Sequence, residues 1–579
     1  MAVPAIMPMS SAKHLSGMTV GEYPMTEWQL RLDAMRRGLD DMQNHVVDEF
    51  LAGHIGRRGL LRHGGAYGLS AALMGLLLGG ALDVGLPGAA RAAAKTNATI
   101  RVALTTPTGA VDPMTVDDIG GLALLQQAGE FLTFDDPKLH LKPMLATSWK
   151  ANKDGTVWTF SLRKGVKFHN GHAMTADDVV YSIARLADPK QGSNALSTFK
   201  GVLLPDGVKK VDAHTVAFHL QAPNGNFPYL LSSDNYNAII VPKGSDPKQY
   251  QKDFVGTGPF KIEKFVPGSS ASFVRNDDYW GGPVGPARVV MKFYDDQQSQ
   301  VLALQGGEVD VIQQIVVQGA QGLLHDPSVK ILDIHATTHR EVHMRCDKPP
   351  FTDKRVRRAL ALTLNRKGII RGLMEGRAQL GNDSPFSPLY PSTNRTVPQR
   401  HADLAEAKKL VHAAGLKPGT EVQLDAPQLQ EIPDYAVLIQ NAAAEIGLKI
   451  NIKTETTSAY YGQATFGNSD WLDSTMGITD YGHRGVPNVF LGAPLMSDGT
   501  WNAAHFKNKT YDKLAGDYIA ALDLAHQRHY SGRIERLLLD ETPIIYAYFY
   551  DYLAATKPHV TGVVVTGMSQ VFLKNATKT

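Results

Sequence analysis

Between residues 422 and 452 the chain reads strand, helix, strand. Val422-Gln423-Leu424 is followed by an apolar-periodic stretch over 433–446 and then by Leu448-Lys449-Ile450-Asn451-Ile452, which alternates at period two. Strands joined through a helix run in the same direction, so this order predicts a mixed α/β architecture with parallel pairing. A chain of 579 residues exceeds what one core fills and, at roughly 100–200 residues per domain, should divide into two or more domains.

Other segments fit that frame. Ile100-Arg101-Val102-Ala103-Leu104 and Trp158-Thr159-Phe160-Ser161-Leu162 alternate as half-buried strands do, with turn chemistry at Lys153-Asp154-Gly155-Thr156 between them. A helix is predicted over 175–186: Thr175 caps it, Asp177 and Asp178 suit its positive first turn, and Val179, Ile183 and Leu186 share a face. A second helix starts at Asp353, with Val356, Leu360, Thr363 and Leu364 on one face and Lys354, Arg355, Arg357 and Arg358 forming a solvated basic face. A third spans 401–414, with Leu404, Leu410 and Val411 inward and Gly415 able to end it.

Upstream, residues 56–94 have the order of a cleavable secretory signal. A basic head of Arg57, Arg58 and Arg62 precedes the 17 uncharged residues 66–82, and Pro87 and small residues lead to Ala92-Ala93-Ala94. A membrane span is the competing reading, because 17 residues stand at the short end of the roughly 17–25 needed. Arg57-Arg58-Gly59-Leu60-Leu61-Arg62 is similar to the twin-arginine export signature. Residues 1–55 make a long N-terminal extension, and initiation at Met25 would shorten it. No cysteine lies near the cleavage region, so the mature chain is expected in the periplasm, exported and soluble, without a lipid anchor.

Charge and cysteine content narrow the function classes. Residues 1–94 contain eight basic and eight acidic residues, so their removal leaves the formal charge at +3. That charge offers no general attraction to phosphate backbones, and no nucleic-acid partner is expected. The single Cys346 cannot form an intrachain disulfide. A nucleophile elbow, a phosphate-cradling glycine loop and a zinc-helix motif are all absent. The nearest pattern, His339-Arg340-Glu341-Val342-His343 with His335 and Cys346 around it, has its glutamate in the wrong place. Read as a strand, it sets its histidines about 13 Å apart, too far to share a metal. Neither a metal, a cofactor nor catalysis is expected.

Several stretches together resemble the solute-binding proteins of ABC importers in the peptide/opine/nickel-binding family, bacterial extracellular solute-binding proteins family 5. They begin with Leu145-Ala146-Thr147-Ser148-Trp149, Asp154-Gly155, the run from Trp158 through Arg163-Lys164-Gly165-Val166-Lys167-Phe168-His169-Asn170-Gly171, and Thr175-Ala176-Asp177-Asp178-Val179. Gly256-Thr257-Gly258-Pro259-Phe260, Asn276-Asp277-Asp278-Tyr279-Trp280 and Gly306-Gly307-Glu308-Val309-Asp310 follow. Pro349-Pro350-Phe351-Thr352-Asp353-Lys354-Arg355-Val356-Arg357-Arg358-Ala359-Leu360, ending in Asn365-Arg366, completes the set. Physically these motifs read as scaffold: Trp149, Trp158 and Trp280 as packing, Gly256 and Gly258 as the flanks of a turn stiffened by Pro259.

The resemblance implies the type II periplasmic-binding-protein fold, two α/β lobes with a hinge between them and ligand enclosed in the cleft. Lobe I would take residues 95–345 and 542–579, with an extra subdomain inserted near 142–255, and lobe II residues 346–541. The apolar run 543–550 suits a buried strand re-entering the first lobe. The implied function is a periplasmic receptor, a monomer, that captures a peptide-like or other small polar solute and delivers it to an ABC permease and ATPase complex. A nickel or metallophore receptor of the same family is the alternative. An exported α/β hydrolase is the rival from another class, and it needs a converging nucleophile and base.

Peptide binders of this family hold the ligand ammonium with an aspartate in a Trp-x-x-Asp-Tyr segment, and Gly477-Ile478-Thr479-Asp480-Tyr481 occupies that place. Asp480 therefore maps onto the aspartate, a charge-assisted partner for an amine. Gly477 stands where the tryptophan is usual, which implies a wider pocket. His483 and Arg484 bring a basic pair beside Asp480, and Arg484 could pair with it or hold an anionic group of the ligand. Arg345 replaces an asparagine common before the Pro-Pro-Phe motif. Tyr460, Tyr461 and Trp471 are candidate aromatic walls, with core packing as the other reading. These departures favour opine-like, modified amino-acid or other anionic small solutes over an unmodified peptide.

Overall fold

Three runs of alternating residues and their crossovers organise the computed structural model, which describes residues 95–579 together with residues 39, 43, 44, 47, 50, 60 and 69. Apart from those seven positions, the extension at 1–55 and the export signal at 56–94 lie outside the described residues. Among the described residues no helix is long and apolar enough to cross a membrane.

The first sheet has seven strands in the order Lys330–Ile334, Tyr552–Thr556, Val311–Ile315, Thr99–Thr105, Arg288–Tyr294, Ser270–Arg275 and Phe260–Val266. The predicted strand at 100–104 is its centre, buried at Ile100, Val102, Ala103 and Leu104 and parallel to both neighbours. The second sheet has six strands in the order Ala378–Leu380, Ile544–Tyr550, His339–Met344, Met476–Tyr481, Thr420–Pro427 and Leu448–Glu455. The strand–helix–strand unit is present: Thr420–Pro427 and Leu448–Glu455 pair in parallel, joined by the helix Ile432–Ala444. A separate four-stranded sheet, Ala146–Ala151, Val157–Leu162, Thr215–Leu220 and Leu203–Asp212, is inserted between the strands of the first.

The chain passes between the first and second sheets twice, at 335–338 and at the single residue Asp551. The run 543–550 therefore does not re-enter the first sheet. Ile544–Tyr550 pairs with His339–Met344 and Ala378–Leu380, and it is the next strand, Tyr552–Thr556, that returns. Hydrophobicity alone could not separate them, because both strands are buried on both faces. At the crossovers His335 Nδ1 lies 3.0 Å from Asp551 Oδ1, and Arg377 pairs with Asp333 at 2.6 Å. One apolar core lies under the first and inserted sheets; a second runs from Leu304, Ile312 and Leu323 through to Val342, Leu360, Leu424 and Ile478.

The helices follow their caps. Ala176–Leu186 starts from a capping box in which Asp178 Oδ2 accepts the Thr175 N–H at 2.7 Å, and Val179, Ile183 and Leu186 are buried. Lys354–Thr363 is capped by Asp353, which accepts the Arg355 N–H at 2.8 Å. Its basic face is not uniformly solvated: Arg357 is buried and donates to Phe351 O, Glu541 O and Thr542 O, binding up carbonyls at a helix end. In Leu404–Ala413 Ala407 and Val411 are buried and Leu410 packs half-buried against the core, whereas Leu404 is exposed because the helix begins there, one turn short of the core.

The family-like motifs converge on one buried carboxylate. Glu130 accepts from Thr257 Oγ1 at 2.8 Å, Tyr279 OH at 2.5 Å and Trp280 Nε1 at 2.6 Å. Gly256 and Gly258 run so close to Ala128 that a Cβ would stand 2.0 and 2.7 Å from its carbonyl. Burial pushes the Glu130 carboxyl up to about 7, outweighing the three donors. An acid raised above its unfolded value binds its proton more tightly in the folded state, so this contribution is complete below pH about 4.5 and lost as pH rises to about 7. A shift of this size corresponds to about 3 kcal/mol. The urea midpoint is expected to fall between pH 5 and 8, with a smaller fall in Glu130→Gln; equal slopes in both proteins would refute the assignment.

Candidate binding site

Strand register builds the site. His339–Met344 pairs antiparallel with Met476–Tyr481, which sets Arg340 opposite Asp480 and His339 opposite Tyr481. Side chains alternate across a sheet, so Arg340 and Asp480 share one face while His339, Tyr481 and Gly477 share the other.

On the first face Arg340, fully buried, has a partner for every N–H it carries. Nε donates to Glu431 Oε1 at 2.9 Å, and Nη2 to Glu431 Oε2 at 3.1 Å and Gln430 Oε1 at 2.7 Å. Nη1 donates to Tyr550 OH at 3.0 Å and to Asp480 Oδ1. Tyr550 OH in turn donates to Asp480 Oδ1 at 2.9 Å, and Tyr548 OH to Glu431 Oε1 at 2.8 Å. The guanidinium also lies 4.3 Å over the Tyr550 ring. Glu431 is held below its usual range by Arg340 and Tyr548 despite a large opposing cost of burial. The cluster thus sets one cation against two carboxylates. Asp480 Oδ2 has no protein partner among the described residues, and the side chain keeps 30% exposure.

The aromatic residues form the adjoining wall. Tyr461, half-buried, accepts the Asp480 N–H on its hydroxyl at 3.1 Å and packs edge-on to Trp471 at 5.2 Å. Trp471 and Tyr460 are buried core residues of this group, with Tyr481 and Phe490, while Trp501 remains half-buried. Tyr481 stacks on His339 at 5.6 Å, facing away from Asp480.

Other sequence candidates lie elsewhere. Arg345 sits past the far end of its strand, bonded to Asp347 Oδ1 at 2.8 Å and Asp473 O at 3.1 Å. Gly477 opens no pocket: a Cβ there would meet His343 Cε1 at 2.6 Å and Tyr460 OH at 2.7 Å, on the face opposite Asp480. Arg484 does not pair with Asp480, whose guanidinium partner is Arg340. Its carbonyl accepts from Thr337 Oγ1 and Tyr390 OH, each at 2.9 Å, and its Nη1 donates to His483 O at 2.7 Å. His483 is buried, accepts the Thr337 N–H at 3.0 Å and is pushed down to about 3 by burial. The segment from His483 to Gly485 thus belongs to the seam between the lobes. Arg340, Glu431 and Tyr550, the cluster around Asp480, were not among the sequence candidates; the available signal was a charged residue inside an otherwise buried strand, which demands a buried partner.

That seam is closely fitted. Gly485 N–H donates to Asp234 Oδ1 at 2.6 Å, Asn226 Nδ2 to Asn488 Oδ1 at 2.8 Å, and Gly225 N–H to Ile519 O at 2.8 Å. A Cβ on Gly225 would stand 1.9 Å from the backbone oxygen of Ala521, an obstacle that no rotamer change relieves. Gly225→Ala is expected to wedge the lobes apart, raising the radius of gyration in small-angle scattering; an unchanged radius would contradict this packing.

Residues 140–487 match the family model of bacterial extracellular solute-binding proteins, family 5. The chain is 28% identical over 470 residues to heme-binding protein A of Haemophilus influenzae, covering 76% of this chain and 84% of that one. It is 27% identical over 431 residues to di/tripeptide-binding protein 1 of Pseudomonas aeruginosa, covering 69% and 79%. In three dimensions it is similar to the periplasmic murein tripeptide-binding protein MppA in its unliganded open form. That match has a TM-score of 0.73 at 22% identity and covers 84% of this chain and 98% of that one.

Proposed function

The chain belongs to the bacterial extracellular solute-binding proteins of family 5, and from that premise we propose that it is the periplasmic receptor of an ABC importer. It closes two lobes on a peptide-like or other small polar solute and presents the closed form to a membrane permease, whose ATPase subunits supply the energy. It catalyses nothing itself. The tripartite signal at 56–94 supports export, and the changes of sheet at 335–338 and at Asp551 support lobes of 95–334 with 552–579 and of 339–550.

The observation that carries the ligand reading is the cluster at Asp480. With Arg340 cancelling only one of two carboxylates, an oxygen of Asp480 is left to accept from a cationic group, and an ammonium of a peptide-like solute supplies it. The reading from the sequence that leaned toward anionic solutes rested on Gly477, the His483–Arg484 pair and Arg345; Gly477 opens no pocket, His483 is uncharged, and both arginines are engaged within the protein. Tyr461 beside it, packed on Trp471, offers an apolar wall for a side chain.

A thermal-shift screen against di- and tripeptides and their N-acetylated forms tests this directly. A ligand at about 100 times its Kd stabilises by roughly 2.7 kcal/mol, so an upward shift is expected with free-amine members. Turnover of any member would instead indicate an enzyme.

A further inference from the structure

Gly485 docks onto two carboxylates of the first lobe that have too few donors between them. Asp135 ends the strand Thr133–Asp135, and Asp234 follows Ser233 in the neighbouring loop. One oxygen of each and one ring nitrogen of His483 lie within 4.8 Å of one another. Asp135 is 5% exposed and its Oδ1 has no hydrogen-bond partner among the described residues. A Cβ on Gly485 would stand 2.4 Å from Asp135 Oδ2, so the backbone of the second lobe packs against Asp135 while its N–H holds Asp234. A void of about 10 Å³ beside them is also bounded by Ser233, Thr566 and Gly567.

We infer that Asp135 and Asp234 form a proton-binding site on the seam, the pair taking up one proton when the lobes are together and releasing it when they part. This rests on the reading above that the lobes open and close. The alternative, a metal held by both carboxylates and His483, conflicts with the ring's hydrogen bonding. Its Nδ1 accepts the Thr337 N–H, which leaves the ring proton on Nε2 and no lone pair for an ion.

The surrounding charges point the same way. Among the described residues Arg484 is the single cation facing the pair; His483 is uncharged in this burial. Asp136 is drawn toward His140 and Lys142, each at 3.7 Å. Tyr229 OH donates to Leu139 O at 2.8 Å, and Tyr390 OH to the Arg484 carbonyl, so neither serves the carboxylates. A proton on the pair removes one of two like charges held within 4.8 Å of each other. Burial, then the neighbouring Asp234 charge, pushes Asp135 well above the carboxylate range, and burial pushes Asp234 up to about 6.

Apart, both groups are hydrated and ionise in the ordinary range, so closure takes up a proton and is favoured as pH falls. The closed-to-open ratio is expected to drop about tenfold from pH 5 to pH 8 for a group held near 6. Spin labels at Leu204→Cys and Val437→Cys, exposed sites on the two lobes, report that ratio as a distance distribution in the mature chain carrying Cys346→Ser. The slope should vanish in Asp135→Asn and Asp234→Asn and persist in His335→Gln, which removes the imidazole at the crossover. Two populations insensitive to pH in the parent protein overturn the proton site alone and need no folded variant. So does a slope that survives Asp234→Asn or disappears only in His335→Gln. A single fixed distance at every pH overturns the closing receptor as well.

Discussion

Replacing Arg340 by methionine is expected to destabilise the protein by roughly 3–5 kcal/mol, the cost of breaking a buried ion pair from one side. Methionine fills much of the same volume and donates nothing. Glu431, 1% exposed, is then left with Tyr548 alone of its side-chain partners, and Asp480 Oδ1 with Tyr550 alone. The penalty comes from the stranded charge rather than from the value of the pair itself. The double change Arg340→Met with Glu431→Leu should therefore recover part of the loss, because it removes the stranded charge together with its partner. Urea unfolding of the two proteins decides it: a single variant as stable as the parent, or a double variant worse than the single, contradicts the network.

The largest effect on binding is expected from Asp480→Asn. The substitution keeps shape and removes the charge, so an ammonium in the cleft loses its counter-ion while Arg340 keeps Glu431. Losing one side of a partly desolvated charge pair costs 2–5 kcal/mol, which corresponds to a weakening of about 30-fold or more. Calorimetry with a free-amine peptide should show this loss, and an N-acetylated analogue should bind both proteins equally weakly. Equal affinity of the free-amine peptide for both proteins would remove Asp480 from the site.

The strand–helix–strand unit at 420–455, the capped helix at 176–186 and the scaffold role of the motif tryptophans were all readable in the sequence, because each depends on neighbours a few residues apart. What was not readable depends on pairing between distant strands. Nothing local says that Arg340 stands opposite Asp480, 140 residues away, or that Glu431 reaches the same guanidinium. The misplacement of Gly477 was avoidable: three residues from Asp480 in a strand, it must point to the other face. Arg345 could not be judged the same way, since its distance from Asp480 follows from antiparallel register alone. The two buried strands around Asp551 differ in sheet but not in hydrophobicity, so their assignment needed the fold.

The sharpest measurement is release of bound solute. The mature protein and Asp480→Asn are each incubated with a mixture of di- and tripeptides and their N-acetylated counterparts, washed, unfolded, and the released molecules identified by mass spectrometry. The parent should retain free-amine members at one per chain, and the variant should retain almost none. Retention of acetylated and free peptides alike, or of no peptide at all by the parent, would contradict a receptor that closes on a cationic peptide-like solute through Asp480.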